Sequence, residues 1–111
     1  MPLTPRLCAR IPSMHFILFY EYIPDVVEKR APHRAAHFEY VKQAFDAGEV
    51  VLGGALADPI DGAVIVFRGS SPEAAERFAK NDPYVLNGLV TAWRVRKWST
   101  VIGDGAVLPA L

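Results

Sequence analysis

The chain has 111 residues, of which 51% are hydrophobic and 22% are charged. This length and composition indicate one globular domain with its own core, and they exclude a disordered chain. Twelve basic and twelve acidic residues give a formal net charge of +0, which argues against a nucleic-acid-binding protein with a broad basic face. The single cysteine, Cys8, excludes an intrachain disulfide, and no apolar run approaches the ~18 residues of a membrane span.

Both ends of the chain are predicted to be appendages. Residues 1–13 contain three prolines and two arginines, but no acidic residue and no apolar core of a secretory signal. We expect them to be a disordered leader; a mitochondrial targeting segment is the other interpretation, although the prolines would interrupt its helix. Residues 104–111 are predicted to be a flexible tail. The folded domain is then 14–103, and we expect it to be cytoplasmic.

The first predicted element is a strand over His15–Tyr22, which is rich in aromatic and β-branched residues. Phe16, Leu18 and Tyr20 alternate on one face of this strand. Ile17 and Phe19 lie on the other. Because both faces are apolar, we expect both to be covered.

A helix is predicted within the segment 26–47. Pro32 is tolerated only in a first turn, so a short turn should precede a helix that begins near Ala31. One set of apolar residues recurs at helical spacing and predicts the stripe that faces the core: Phe38, Val41 and Phe45. Gly48 is placed to cap the C-terminal end.

The second half of the chain predicts a hairpin, a helix and a last strand. Val50–Ala55 and Ala63–Arg68 have strand composition, and Ala57–Gly62 between them has turn chemistry. A second helix should begin at residues 71–73, with serine as the cap and proline in the first position, and end before Asp82-Pro83. Its sheet-facing residues are predicted to be Ala74, Ala75, Phe78 and Ala79. The last strand is predicted over Leu89–Trp98, with Thr91, Trp93 and Val95 on one face.

The order β-α-β-β-α-β is typical of an α+β, ferredoxin-like fold. Two helices would cover one face of a four-stranded sheet and leave the other face bare. Since the first strand is apolar on both faces, we expect a second copy of the chain to pack sheet against sheet. The sequence therefore predicts a homodimeric α/β barrel.

Arg30, Arg34 and His37 fall at positions i, i+4 and i+7, on one side of the predicted helix. An imidazole suits proton transfer because its reference pKa of ~6.5 lies near working pH, and two arginines suit an anionic or oxygen-rich ligand. On spacing alone, a solvated arginine face beside a half-buried histidine is the plainer interpretation.

Two aspartates are candidates to orient His37. Asp58 and Asp82 each precede a proline, which by itself explains a turn. Either carboxylate could instead accept a hydrogen bond from the imidazole and hold its tautomer. Local sequence does not choose between them.

Other patterns point away from metals and phosphates. His33 and His37 have the helical spacing of two metal ligands, but the glutamate of H-E-x-x-H is missing, so we predict no metal site unless Glu21 or Asp82 completes it. The pair Gly53-Gly54 lacks the pattern of a phosphate-binding loop. Three aromatics are predicted to lie in the core or an interface, with a ligand wall as the alternative: Tyr84, Trp93 and Trp98.

An ordered set of motifs resembles the YciI-like family, the YCII-related domain, from about Met14 to Gly103. The set comprises Arg34-x-x-His37, Gly48, Leu52-Gly53-Gly54 and Asp82-Pro83-Tyr84. The resemblance implies a ferredoxin-like fold that dimerises into an α/β barrel. Ala55 departs from the pattern, because many members have proline after the glycine.

The resemblance also implies an active site. It pairs His37 with Asp82 as the catalytic residues. It assigns substrate binding to four further residues: Arg30, Arg34, Gly54 and Tyr84. At least one member of the family is a dehydrochlorinase that acts on a chlorinated hydroxyhydroquinone.

Three functions are consistent with these features. The first is a cofactor-independent enzyme that performs an elimination, isomerisation or hydrolysis-type step on a small cyclic oxygenated substrate. In it His37 is the acid/base, and Arg34, with Arg30 or Arg94, neutralises developing charge. The second is a non-catalytic module that binds a small ligand. The third is a cofactor-free oxygenase, which rests on fold analogy alone.

Overall fold

The computed structural model describes residues 14–107 as a four-stranded antiparallel sheet with helices on one face. The predicted leader, Cys8 and residues 108–111 lie outside the described residues. The strands are β1 (Met14–Tyr22), β2 (Val50–Leu56), β3 (Gly62–Gly69) and β4 (Val90–Trp98). The helices are α1 (Val26–Lys29), α2 (Arg34–Asp46), α3 (Glu73–Asn81) and α4 (Pro83–Leu86), and a 3-10 turn, Ala31–His33, precedes α2.

The strand order is β2-β3-β1-β4, so β1 and β3 are central and the other two strands form the edges. Every neighbouring pair is antiparallel, including the predicted hairpin of β2 and β3. This arrangement confirms an α+β fold. The predicted strands and the two main helices all form. Their ends lie within one or two residues of those expected, except that α2 begins at Arg34, three residues after Ala31, where the 3-10 turn begins instead.

The core lies between the sheet and the helices. Alternate residues of β1 and β3 supply one side of it, because successive strand residues point to opposite faces. They are Phe16, Leu18, Tyr20, Ala63, Ile65 and Phe67. From α3 the core receives Ala75, Phe78 and Ala79, with Ala74 partly buried beside them, as predicted. From β4, Trp93 and Val95 pack against the same core.

Two glycines permit the end of α2 and the close approach of β3 to β1. Gly48 ends α2 with a φ of 82°, the left-handed conformation that glycine adopts without a steric penalty. Gly62 lies against β1 so closely that an added Cβ would stand 2.5 Å from the backbone oxygen of Tyr20. Close approach of the two central strands therefore requires glycine at position 62.

The start of α3 differs from the prediction by one position. Pro72 occupies the N-cap rather than the first helical position. The Ser71 hydroxyl still accepts a hydrogen bond from the backbone N–H of Glu73, at 3.3 Å. The serine therefore bonds the first turn as predicted, although the helix itself begins one residue later and Ser71 lies just before the N-cap.

The predicted core stripe of α2 was right for Val41 and wrong for Phe38 and Phe45. Phe38 is 51% exposed and Phe45 is 57% exposed, whereas His37 is buried. The side of the helix that meets the core carries His37, Tyr40, Val41 and Ala44. The core-facing residues recur at helical spacing, as expected. The helix is rotated about its axis relative to the prediction, because polar contacts hold the side with His37 and Tyr40 against the core. His37 bonds to Asp82, and the Tyr40 hydroxyl donates to the carbonyl oxygen of Phe78 at 2.9 Å.

Part of the predicted tail folds back on the domain. The backbone N–H of Val107 donates to the Thr100 side chain and carbonyl, at 3.0 and 3.2 Å. Thr100 in turn bonds His15 at 2.9 Å. The segment 100–107 thus closes a loop beside the first residues of β1.

The corrected orientation of α2 predicts unequal costs for two phenylalanines. Phe67→Ala should lower the free energy of unfolding by about 3–5 kcal/mol, because it opens a cavity at a residue that is 1% exposed. Phe45→Ala should cost less than about 1 kcal/mol, because that ring already faces solvent. Urea unfolding of the two variants measures the difference. Equal costs would mean that the exposed side of α2 is covered in solution.

Candidate functional site

The site is organised by Asp82, which follows α3 and is completely buried. Its backbone is extended, as expected of a residue before proline, so α3 ends and α4 begins in a new direction. Its side chain caps α4 by accepting a hydrogen bond from the backbone N–H of Tyr84 at 3.0 Å. The Asp-Pro turn therefore aims a carboxylate into the interior.

Three donors from different parts of the fold meet this carboxylate. His37 of α2 bonds Oδ1 through Nδ1 at 2.8 Å, and the Tyr84 N–H shares that oxygen. The Tyr20 hydroxyl of β1 donates to Oδ2 at 2.7 Å. Burial, and then the Asp82 charge, raises the pKa of Tyr20 far above its usual value, so this hydroxyl stays protonated and donates.

The His37 ring is fixed in position and in tautomer. An ionised carboxylate can only accept, so Nδ1 carries the hydrogen that bonds Asp82. The ring also stacks on Tyr84, with centroids 3.8 Å apart and planes only 5° from parallel. Nε2 is therefore the ring nitrogen that remains to meet a ligand.

His37 opens onto a cavity of ≈ 270 Å³ between α2 and the sheet. The apolar part of its wall includes residues of α2, β2 and β3, among them Val41, Gly53, Gly54, Ala63 and Ile65. The polar part carries Arg30, Arg34, Tyr22 and Tyr84. Gly53 pairs with Ile65 on the core side of β2, so this side of the strand borders the cavity with no side chain at position 53.

Two tyrosines of the cavity are protonated donors. Burial, followed by the neighbouring Tyr84 and Asp82, raises the pKa of Tyr22 to about 12, while Arg30 and Arg34 act in the opposite direction. Burial also raises the pKa of Tyr84, again opposed by the two arginines. The Tyr22 and Tyr84 rings meet edge to face, with centroids 6.2 Å apart.

The structure brings the predicted site residues together. Five of them line the cavity: Arg30, Arg34, His37, Gly54 and Tyr84. Asp82 stands directly behind His37. Asp58, the other candidate partner, lies exposed in the loop between β2 and β3, so that alternative was wrong.

Arg94 does not belong to this site. Its guanidinium lies over the Phe19 ring, 4.2 Å from the centroid, on the sheet face that the helices leave uncovered. The expectation that Arg94 could neutralise charge beside His37 was therefore wrong for a single chain. Strand alternation explains the error, because Arg94 pairs with Phe19 rather than with a core-facing residue of β1.

Sequence reasoning missed Tyr20 and Tyr22 as site residues. The sequence predicts both only as members of an apolar strand. A signal existed, because a buried tyrosine hydroxyl needs a hydrogen-bond partner and Tyr20 lies on the core face of a central strand. The identity of that partner could come only from the fold, since Tyr20 and Asp82 are 62 positions apart.

Within residues 14–107, no three His, Cys, Asp or Glu side chains are grouped to hold a metal ion. His33 ends the 3-10 turn and does not line the cavity. None of the helices in this part of the chain is long and apolar enough to cross a membrane.

Several solved structures share this fold. One is 5-chloro-2-hydroxyhydroquinone dehydrochlorinase from Burkholderia phenoliruptrix in complex with 2,5-dihydroxybenzoquinone, at a TM-score of 0.68 and 22% identity, covering 84% of this chain and 99% of that one. A putative antibiotic biosynthesis monooxygenase from Bacteroides thetaiotaomicron matches at 0.54 and 12% identity, covering 83% and 92%. A NIPSNAP family protein from Agrobacterium tumefaciens also matches at 0.54 and 12%, covering 87% and 99%.

At these identities the likenesses show the fold alone. No curated protein matches the chain in sequence. The sequence pattern of the YCII-related domain, however, matches residues 14–99, which include every strand and every residue of the cavity described above. The chain therefore belongs to the YCII-related domain family.

Proposed function

We propose that this protein is a cofactor-independent enzyme that uses His37 and Asp82 for general acid–base chemistry on a small cyclic oxygenated substrate. The observation that carries the proposal is the 2.8 Å bond between His37 and a completely buried Asp82, with the histidine opening onto a cavity. A carboxylate in this position stabilises the imidazolium that forms when the ring takes a proton.

The reaction begins when Nε2 of His37 accepts a proton from the substrate. The electron pair released from the broken bond moves into the ring as an enolate or phenolate. Arg34 and Arg30 at the cavity wall stabilise that negative charge. General acid–base catalysis of this kind typically contributes ~10²–10⁴-fold to the rate.

The fate of the electron pair decides the reaction class. If the imidazolium returns its proton to another atom of the ring, the result is an isomerisation. If a leaving group departs with its bonding electrons, the result is an elimination. A protein of the same fold is a dehydrochlorinase, which favours elimination as the first reaction to test.

We also propose that the protein is a homodimer that packs sheet against sheet. The uncovered face carries apolar residues on every strand: Ile17, Phe19, Leu52, Val64, Val66 and Trp98. Leu52 is 72% exposed and Trp98 is 47% exposed, which is unusual for side chains of this size. Packing two such faces together would remove them from water.

The role of Asp82 is tested by substitution. Asp82→Asn should weaken the bond that holds the hydrogen on Nδ1, so the ¹⁵N chemical shifts of the His37 ring in NMR spectra should change. Asp58→Asn is the matched control, because Asp58 also precedes a proline but lies exposed. If both variants leave the His37 signals unchanged, the pair does not act as a unit.

Catalysis is tested with the same variants. Small hydroxylated rings are screened for turnover, starting with 5-chloro-2-hydroxyhydroquinone and measuring released chloride. The parent protein should form product, and His37→Gln should be at least ~100-fold slower. Binding of a compound with no product from any member of the screen would favour a non-catalytic ligand-binding module instead.

Tyr20 is expected to act as a positioning residue. Tyr20→Phe leaves Asp82 Oδ2 without its side-chain donor, which should cost about 1–3 kcal/mol of unfolding free energy. The carboxylate would then have one donor fewer and should accept more strongly from His37 Nδ1, so the His37 ring signals in NMR spectra should shift. Tyr40→Phe is the control, because its hydroxyl bonds a backbone carbonyl and not Asp82. If Tyr20→Phe and Tyr40→Phe give the same His37 signals, Tyr20 only packs in the core and does not position the His37–Asp82 pair.

The dimer is tested by sedimentation velocity. Val66→Lys places a charge on the uncovered sheet face and should convert the dimer to monomer. Phe45→Lys, on the exposed side of α2, should leave the dimer intact. A monomeric parent protein, or dissociation by Phe45→Lys alone, would contradict the sheet-to-sheet arrangement.

A further inference from the structure

The cavity beside His37 has an unbalanced charge. Within residues 14–107 the ion pairs are Lys29–Asp25, His37–Asp82, Lys42–Asp46 and Arg77–Glu49. Arg30 and Arg34 belong to none of them, although both line the cavity. The wall contains no carboxylate, because Asp82 lies behind His37 with none of its surface exposed. A ligand in this cavity therefore meets two positive charges and no negative one.

The two arginines share the cavity wall with two hydroxyl donors, Tyr22 and Tyr84. Burial raises the pKa of both phenols. Both phenols keep their protons at neutral pH, so they can donate hydrogen bonds. Guanidinium and phenol groups in one wall offer donors to the oxygen atoms of a ligand.

Arg34 and His37 line the cavity from neighbouring positions on α2. Each helical residue rises about 1.5 Å, so His37 stands about 4.5 Å further along the axis than Arg34. Gly53, Ala63 and Ile65 form the apolar part of the wall from the sheet side. The volume of ≈ 270 Å³ lies at or below the small end of ligand pockets, which span about 300–1,000 Å³. The space suits one ring rather than two.

We infer that the ligand of this cavity is a single planar ring that carries a carboxylate, with the carboxylate held by Arg30 and Arg34 and the ring beside His37. The inference rests on the proposed function for the role of His37, and it adds the charge of the substrate. Guanidinium groups bind carboxylates in two-point geometry, which would fix the position of the ring relative to Nε2. A neutral ring would offer the two guanidinium groups no anionic partner until the enolate or phenolate of the proposed reaction forms.

The test compares an acid with its neutral amide. 2,5-Dihydroxybenzoate and 2,5-dihydroxybenzamide have the same ring and hydroxyl groups, and calorimetry gives the affinity of each for the full-length protein. We expect the acid to bind at least ~10-fold tighter. The double variant Arg30→Gln/Arg34→Gln should lose this preference, while Lys42→Gln, an exposed cation of the same helix that does not line this cavity, should retain it.

The outcomes separate this inference from the proposed function. If acid and amide bind equally, the inference that the ligand carries a carboxylate is wrong, even if His37-dependent turnover is found. It is also wrong if Lys42→Gln loses the preference for the acid as much as the double arginine variant does. A preference that depends on the two arginines supports it even if no compound in the screen is turned over. Thermal unfolding of each variant confirms that the comparison is made on folded protein.

Discussion

The fold depends on the burial of one carboxylate, that of Asp82, away from solvent. Asp82 is completely buried, and an isolated carboxylate in that environment would be strongly destabilising. It is retained because Tyr20, His37 and the Tyr84 N–H all donate to it. These donors come from β1, α2 and α4, so one carboxylate joins the sheet to two helices. The histidine that could do chemistry is thereby also part of what aligns the elements.

The same requirement explains the orientation of α2. A helix ordered by hydrophobicity alone would bury Phe38 and Phe45, and sequence reasoning predicted this. The observed orientation instead places His37 against the buried carboxylate of Asp82 and leaves both rings largely exposed. Periodicity gave the correct repeat, yet it could not reveal that the preferred side of the helix was set by an aspartate 45 positions away.

Local sequence was sufficient for much of the fold. Gly48 ends α2, Asp82-Pro83 ends α3, and the two glycines of β2 border the cavity, as their residue types suggest. Asp58 and Asp82 shared the same local context, and only long-range contacts distinguish them. Tyr20 and Arg94 were misjudged for the same reason, because the partner of each lies on a different strand or loop. For His37 and Asp82, the family resemblance anticipated a meeting that local sequence could not specify.

Three of the glycines in the hairpin of β2 and β3 differ in how well they would tolerate an added side chain. A methyl group at Gly62 would collide with the backbone of Tyr20, whereas one at Gly54 would enter open space and one at Gly53 would touch Ile65 at 3.4 Å, an ordinary contact. The scaffold therefore fixes one of these positions and leaves the other two free to vary. Of the two, Gly53 pairs with the cavity-lining Ile65, so a single carbon atom added there would narrow the cavity without moving the acid–base pair.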